Sequence, residues 1–233
     1  MEKPKRKTLL QIAIDGPVAA GKGDIASRLA RRLGITYLYT GAMYRALAVA
    51  CMRRGVSAKE PEKVVQILDM IHIDLYPKKN GQKSFVIRLD SEDITDIIHK
   101  PEISMLASDI SAITSVRKKI VKYQKLMAKG KSVVMEGRDI GLRVLPQAQL
   151  KIYLTATLEE RAKRRFKQFK SQGIKKTFAQ VLEDTQRRDK QDMSRKIDPL
   201  RKLSEAWEID TTMLTQEEVI AMIVKKLNLK KLL

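Results

Sequence analysis

Short aliphatic runs alternate with helical stripes along this chain. Residues 9–14 form an Ile- and Leu-rich run that leads directly into Gly16-Pro17. That pattern predicts a buried strand closed by a glycine turn. From 24 to 33, Ile25, Leu29 and Leu33 recur at helical spacing while Arg28, Arg31 and Arg32 occupy other faces, and Gly34 ends the helix. A second strand is read at 35–39, followed by helices at 42–54 and 60–70. Residues 71–90 break the rhythm. Ile71, Ile73 and Leu75 alternate with polar residues, Asn80-Gly81 supplies a turn, and Phe85, Ile87 and Leu89 alternate again, predicting an inserted antiparallel hairpin. Helices follow at 103–111 and 115–128, strands at 132–135 and 149–154, helices at 159–170 and 178–190, a last strand at 206–209 and a closing helix at 216–227. Strands alternating with helices call for an α/β fold with a parallel sheet covered on both faces.

The 233 residues suffice for one compact domain with insertions. Aromatic residues are only 5% against 43% hydrophobic overall, so the core must be aliphatic. Met43, Met52 and Met70 are read as core filler, and Trp207 as packing. The longest apolar run, residues 46–52, falls far short of the roughly 20 residues a membrane span needs. The N-terminal residues are basic but lack an apolar stretch long enough for a secretory signal. A lone cysteine, Cys51, excludes an intramolecular disulfide and argues against a Cys-based metal cluster. The expectation is a cytoplasmic chain with no membrane partner, and a monomer, because no long apolar face is left over.

Charge narrows the partners. The formal net charge is +20, and residues 161–202 carry 15 Lys or Arg against 5 Asp or Glu. A basic block of that density predicts a positively charged surface element and a negatively charged ligand. A nucleic-acid binder would need stacking aromatics among the basic residues. Only Phe166, Phe169 and Phe178 lie there, at core-like helical positions. Weak salt-sensitive RNA association is all that the charge would support.

The predicted first strand, Gly16-Pro17-Val18-Ala19-Ala20-Gly21-Lys22, and the predicted first helix form a phosphate loop in its required context. Glycines let backbone N–H groups curl around phosphate oxygens, the helix N-terminus adds partial positive charge, and Lys22 reaches the terminal phosphates. The loop continues into Gly23 and Asp24 where a hydroxyl residue is usual.

IAIDGPVAAGKG, YLYTGAMYRALA, ASDISAITSVRKKI, VVMEGRDIGLRVLP and RRDKQDMSRKIDPL stand in the order and spacing of bacterial cytidylate kinases. The chain resembles that family from about Ile12 to Leu227. The resemblance implies a P-loop kinase fold with a monophosphate-binding region at 40–112, which contains the hairpin, and a basic helical lid at 160–202. It implies ATP with Mg²⁺ as phosphoryl donor and CMP and dCMP as acceptors. Lys22, Arg138 and Arg188 are the catalytic residues it implies. The loop residues 16–24 and, more weakly, Arg161 and Arg165 would serve ATP. Arg45 and Arg138 would hold the CMP phosphate. Ser108, Arg117 and Asp139 would read cytosine, Asp192 and Arg195 the sugar, and Thr40 and Tyr44 would line the pocket.

Each assignment has a plain alternative. Arg117 on a helix face is ordinarily a solvated charge, and Arg188 with Asp192 at i,i+4 could be a surface ion pair. His72 and His99 are isolated and receive no role. The family pattern has an aspartate where Tyr39 stands, so one carboxylate is lost there and another gained at Asp24. Those two positions should be neighbours. Either Asp24 replaces the lost group as an outer-shell Mg²⁺ partner, or it occupies the anion site itself and leaves a nucleotide-binding protein with a regulatory role.

Overall fold

The computed structural model describes residues 9–77 and 85–233. Strand β1 (Gln11–Asp15) is the aliphatic run that precedes the glycine turn. It pairs in parallel with β6 (Val133–Gly137) on one side and β7 (Leu150–Thr155) on the other. With β2 (Thr36–Tyr39) and β8 (Trp207–Asp210) they make a five-stranded parallel sheet among the described residues, in the order β2-β6-β1-β7-β8. A central parallel strand has to be apolar on both faces. Ile12 and Ile14 pack towards α1 (Lys22–Leu33) and α8 (Gln216–Leu229), while Ala13 packs on the opposite face with Val133 and Met135. The predicted doubly covered α/β architecture is the one observed.

A second core stands beside the sheet. Helix α2 (Gly41–Arg53) is buried almost all round, with every residue from Ala46 to Cys51 at most 2% exposed. Helix α3 (Pro61–Met70), β3 (Ile73–Pro77), β4 (Phe85–Leu89), α4 (Pro101–Ile110) and α5 (Thr114–Ala128) surround it. The hairpin has a third strand, β5 (Glu92–Asp93), which is too short and polar to be foreseen. The predicted Asn80-Gly81 turn lies outside the described residues. Of the three methionines expected in the core, only Met43 is buried. Met52 and Met70 fall on the outer faces of their helices, 42% and 75% exposed. Trp207 packs as expected, beneath Lys226.

The basic block is a helical pair, α6 (Leu158–Ser171) and α7 (Phe178–Met193). Each helix starts on a threonine cap. At Thr177 a full capping box with Gln180 satisfies two N-terminal groups. The pair is joined internally by buried Phe169 and an edge-on Phe166–Phe178 contact at 6.0 Å, so these rings serve packing. No helix of the described residues is long and apolar enough to cross a membrane.

Candidate active site

The turn after β1 requires its glycines. Gly16 has φ +149°, and a Cβ there would stand 2.0 Å from the Leu154 carbonyl oxygen. Gly21 adopts φ +85° as the cap of α1. Between them Ala19 is left-handed at φ 58°, a conformation that costs a non-glycine residue about 1–2 kcal/mol. Helices α6 and α7 hold this strained loop. Asp189 accepts from the Val18 amide at 3.3 Å, and Arg161 donates to the Val18 carbonyl at 3.1 Å and to Asp189 at 2.5 Å. A third Arg161 bond reaches the Ala156 carbonyl. Arg161 of α6 therefore braces the loop against α7, through its Nε and Nη1.

Lys22, the first residue of α1, is 6% exposed and donates to the Pro17 carbonyl at 2.6 Å. Burial, and next the charge of Arg138, push its ammonium down to about 7, against the pull of Glu136, Asp192 and Asp15. An anion arriving beside it would restore the charged form.

One cavity of about 530 Å³ opens over the loop, and Lys22, Arg45, Arg138, Arg165 and Arg188 all line it. They come from four helices and the end of β6, so only the fold brings them together. Arg45 of α2 is held by the Ile98 carbonyl at 2.5 Å and Ser104 Oγ at 2.7 Å. Arg138 donates from Nε to Asp192 at 2.6 Å. Burial alone would lower its pKa, but Asp192 outweighs it and the group is raised. Arg188 differs. Its buried Nε has no hydrogen-bond partner, and burial together with Arg138, Arg45 and Arg165 pushes it down to about 9 despite Asp192. Arg165 stacks over Phe169 at 4.8 Å and is pushed down to about 10, mainly by burial and then by Arg45. Crowded, underpartnered guanidinium groups are a receptor for a polyanion. The simple Arg188–Asp192 pair is not what forms. Asp192 bonds Arg138 and Arg195 instead.

The far end of the cavity is polar and buried. Arg117, 3% exposed rather than solvated, meets Asp139 at 2.6 Å and Asp198 at 3.5 Å, yet its buried Nε has no hydrogen-bond partner. Burial raises the Asp139 carboxyl, against Arg117, and raises the Tyr44 hydroxyl to about 12. Arg195 donates to Ser111 Oγ at 2.8 Å and keeps a buried, unpartnered Nε. Ser108 faces the same space from α4, and Thr40 closes its floor by donating to the Glu136 carbonyl at 2.8 Å. An acid beside an arginine and a hydroxyl can meet a heterocycle that carries both a donor and an acceptor.

Residues 12–229 match the family model for cytidylate kinase. The chain is 45% identical over 216 residues to a cytidylate kinase of Caldicellulosiruptor saccharolyticus, covering 93% of this chain and 94% of that one. The chain belongs to the cytidylate kinase family. It is 42% identical over 221 residues to the Bacillus subtilis cytidylate kinase, covering 95% and 97% of the two chains. A solved structure of an uncharacterized protein from Eubacterium ventriosum shares the fold at a TM-score of 0.52 with 12% identity, covering 95% of this chain and 99% of that one. The enzyme is thus a kinase of this family on a phosphate-loop scaffold.

Other expectations for this cytidylate kinase family member are refined by the geometry. Val18, Ala19, Gly21, Lys22, Gly23 and Asp24 line the cavity. Gly16 and Ala20 serve the turn itself, Ala20 through its carbonyl, which accepts from Thr211 at 3.4 Å. Tyr39 and Asp24 both line the cavity. The Asp24 carboxylate turns outward and accepts from Gln216 of α8 at 3.3 Å, and no side chain caps α1. Asp24 therefore does not occupy the anion site. Tyr39 packs on Phe85 at 5.1 Å, tying the hairpin to the sheet. His99 also lines the cavity, which sequence spacing did not suggest.

Four buried carboxylates went unread in the sequence, Asp189 of the loop brace and three more. Asp15 accepts the Ile140 and Gly141 amides at 2.8 and 2.9 Å, and burial raises it to about 6. Asp198 braces Arg117 and Arg143. Glu136 is 5% exposed at the end of β6 and lines the cavity beside Lys22. Asp15 and Glu136 were legible only as charged residues at the ends of apolar strands. No group of three His, Cys, Asp or Glu among the described residues converges to cage a metal ion. That fits Mg²⁺, which takes one or two carboxylates and completes its shell with water and substrate phosphates.

Proposed function

We propose that this chain transfers the γ-phosphoryl group of ATP to CMP and dCMP, forming CDP and dCDP. The observation that supports it is the convergence of Lys22, Arg45, Arg138, Arg165 and Arg188 on one cavity that ends in the Arg117–Asp139–Ser108 pocket. The bond between the γ-phosphorus and the β–γ bridging oxygen breaks, and a bond from a CMP phosphate oxygen forms. The acceptor oxygen is already ionised near neutral pH, so the site needs no strong base. Positioning and neutralisation of charge carry the reaction.

The backbone of residues 16–24 and Lys22 receive the ATP phosphates. Arg45 and Arg138 hold the CMP phosphate opposite. Arg188, whose donors are uncommitted, bonds the phosphoryl group in transit, and Arg165 assists it. Glu136, with Asp24 at the rim, would hold a Mg²⁺ ion and its water. That ion would screen the β- and γ-oxygens when bound. Ser108, Arg117 and Asp139 bond cytosine, and Asp192 and Arg195 the sugar, with Thr40 and Tyr44 enclosing them. Residues 40–112 act as the acceptor region and 160–202 as the lid, which closes on the loop through Arg161 and Asp189. The reading includes a monomer working in the cytoplasm. The basic block has its use in nucleotide phosphates, without nucleic acid.

An ADP-coupled assay with CMP, dCMP, UMP and AMP over a range of Mg²⁺ tests the reading. CMP and dCMP are expected to turn over at least tenfold more efficiently than AMP. A protein that binds CMP and ATP yet releases no ADP at any Mg²⁺ concentration would refute it.

A further inference from the structure

Two residues that the assignment above leaves without a role meet behind Ser108, which lines the base pocket. Gln191 of α7 crosses from the lid to α4. Its Oε1 accepts from Ser108 Oγ at 3.1 Å, and its Nε2 donates to Asp109 Oδ1 at 3.0 Å. Asp109 is exposed, Gln191 half-buried and Ser108 buried, so the row runs inward from solvent to the cavity.

We propose that Asp109 and Gln191 fix the direction of the Ser108 hydroxyl and so make this site choose cytosine over uracil. The inference rests on Ser108 being a base reader. A serine hydroxyl has one proton and two lone pairs, so on its own it can meet either a donor or an acceptor. The two bases differ in just that respect, since cytosine presents an amine where uracil presents an oxygen. A free hydroxyl would rotate to suit both.

The polarity is settled three groups away. An ionised carboxylate only accepts. Asp109 therefore draws the NH₂ end of the Gln191 amide, although the two ends of that amide are alike in shape. The amide oxygen then faces Ser108 and takes its only proton. What Ser108 has left for the base is a lone pair. Cytosine's amine donates to it, whereas uracil's oxygen would set one lone pair against another among buried side chains. A mismatch of that kind leaves buried polar groups unpaired and is costly. The contact also joins lid to acceptor region, so the setting is made as the two come together.

Asp109→Asn tests this with no change of shape. An asparagine can accept as well as donate, which frees Gln191 to turn over and Ser108 to donate to the base. The readout is the ratio of kcat/KM for CMP to that for UMP, measured in wild type, Asp109→Asn, Ser108→Ala and the double variant. The ratio is expected to fall about tenfold in Asp109→Asn, the worth of one net hydrogen bond. Asp109→Asn is expected to have no effect on the ratio in the Ser108→Ala background. Gln191→Ala should lower the ratio as Asp109→Asn does. An unchanged ratio in Asp109→Asn overturns the proposal. So does an equal fall with Ser108 already removed, which would mark a general effect on the lid. A wild type that does not prefer CMP to UMP overturns the base-reading assignment itself, a distinct failure visible before any variant is made.

Discussion

Replacing Arg188 with Met is expected to lower kcat by a factor of about 10³ or more and to make the ligand-free protein more stable. The first effect follows from the role given to its donors. An arginine that meets the transferring phosphoryl group is worth about 10³–10⁵ in rate. The second follows from where the charge is kept. Burial is the main cause of the depressed Arg188 pKa of about 9, and Arg138 is the next. The sign is that of a base held below its unfolded value. At neutral pH the folded state carries a cation it disfavours, so removing the charge relieves the fold. The gain is about 1 kcal/mol after allowance for solvent reaching the cavity. In a chain of this length that is a rise of about 3 °C in Tm. Steady-state kinetics and a thermal scan without nucleotide check both. A variant that loses activity and stability together would place Arg188 in the packing rather than in the reaction.

Asp192→Asn is expected to destabilise by about 3–5 kcal/mol at pH 7, because two buried arginines lose their counter-charge. Asp192 is 1% exposed and bonds Arg138 at 2.6 Å and, through its other oxygen, Arg195. Burial would raise its carboxyl, yet Arg138, Arg195 and Arg188 together hold it down to about 2. For an acid the folded value below the unfolded one means stability present above about pH 4 and lost as pH falls towards 2. That component is about 2 kcal/mol. Urea denaturation at pH 7 and pH 2.5 reads it. The gap between wild type and variant is expected to be wide at pH 7 and to narrow at pH 2.5. A gap that stays constant would mean that the carboxylate charge is not what holds the arginines.

These two residues show where a linear reading of the chain stops. Arg188 and Asp192 are both legible as members of one basic helix, and their spacing alone suggests that they pair with each other. The fold gives Asp192 to Arg138, just past the end of β6, and leaves Arg188 short of partners, a consequence of long-range packing that periodicity does not carry. The same limit explains Arg161, whose bonds to Val18 and Asp189 depend on the loop meeting α6 and α7. Local patterns fared better. The strand before the loop, the helical stripe after it and the hairpin alternation each rest on contacts within a few residues, and each is found where expected. Met52 and Met70 were misread because apolar character says nothing about which face of a helix a residue takes. The Gln191 row joins residues more than eighty positions apart, so no spacing could announce it.

The proposed reaction needs one cavity to receive two nucleotides with their phosphates face to face. The measurement that meets this directly is calorimetric titration with a single compound in which adenosine and cytidine are joined 5′ to 5′ through five phosphates. One molecule is expected to bind per chain, at least a hundredfold tighter than CMP alone, to be displaced by ATP and by CMP alike, and to lose most of that advantage in Arg188→Met. Binding no tighter than CMP, or displacement by only one of the two nucleotides, would contradict it.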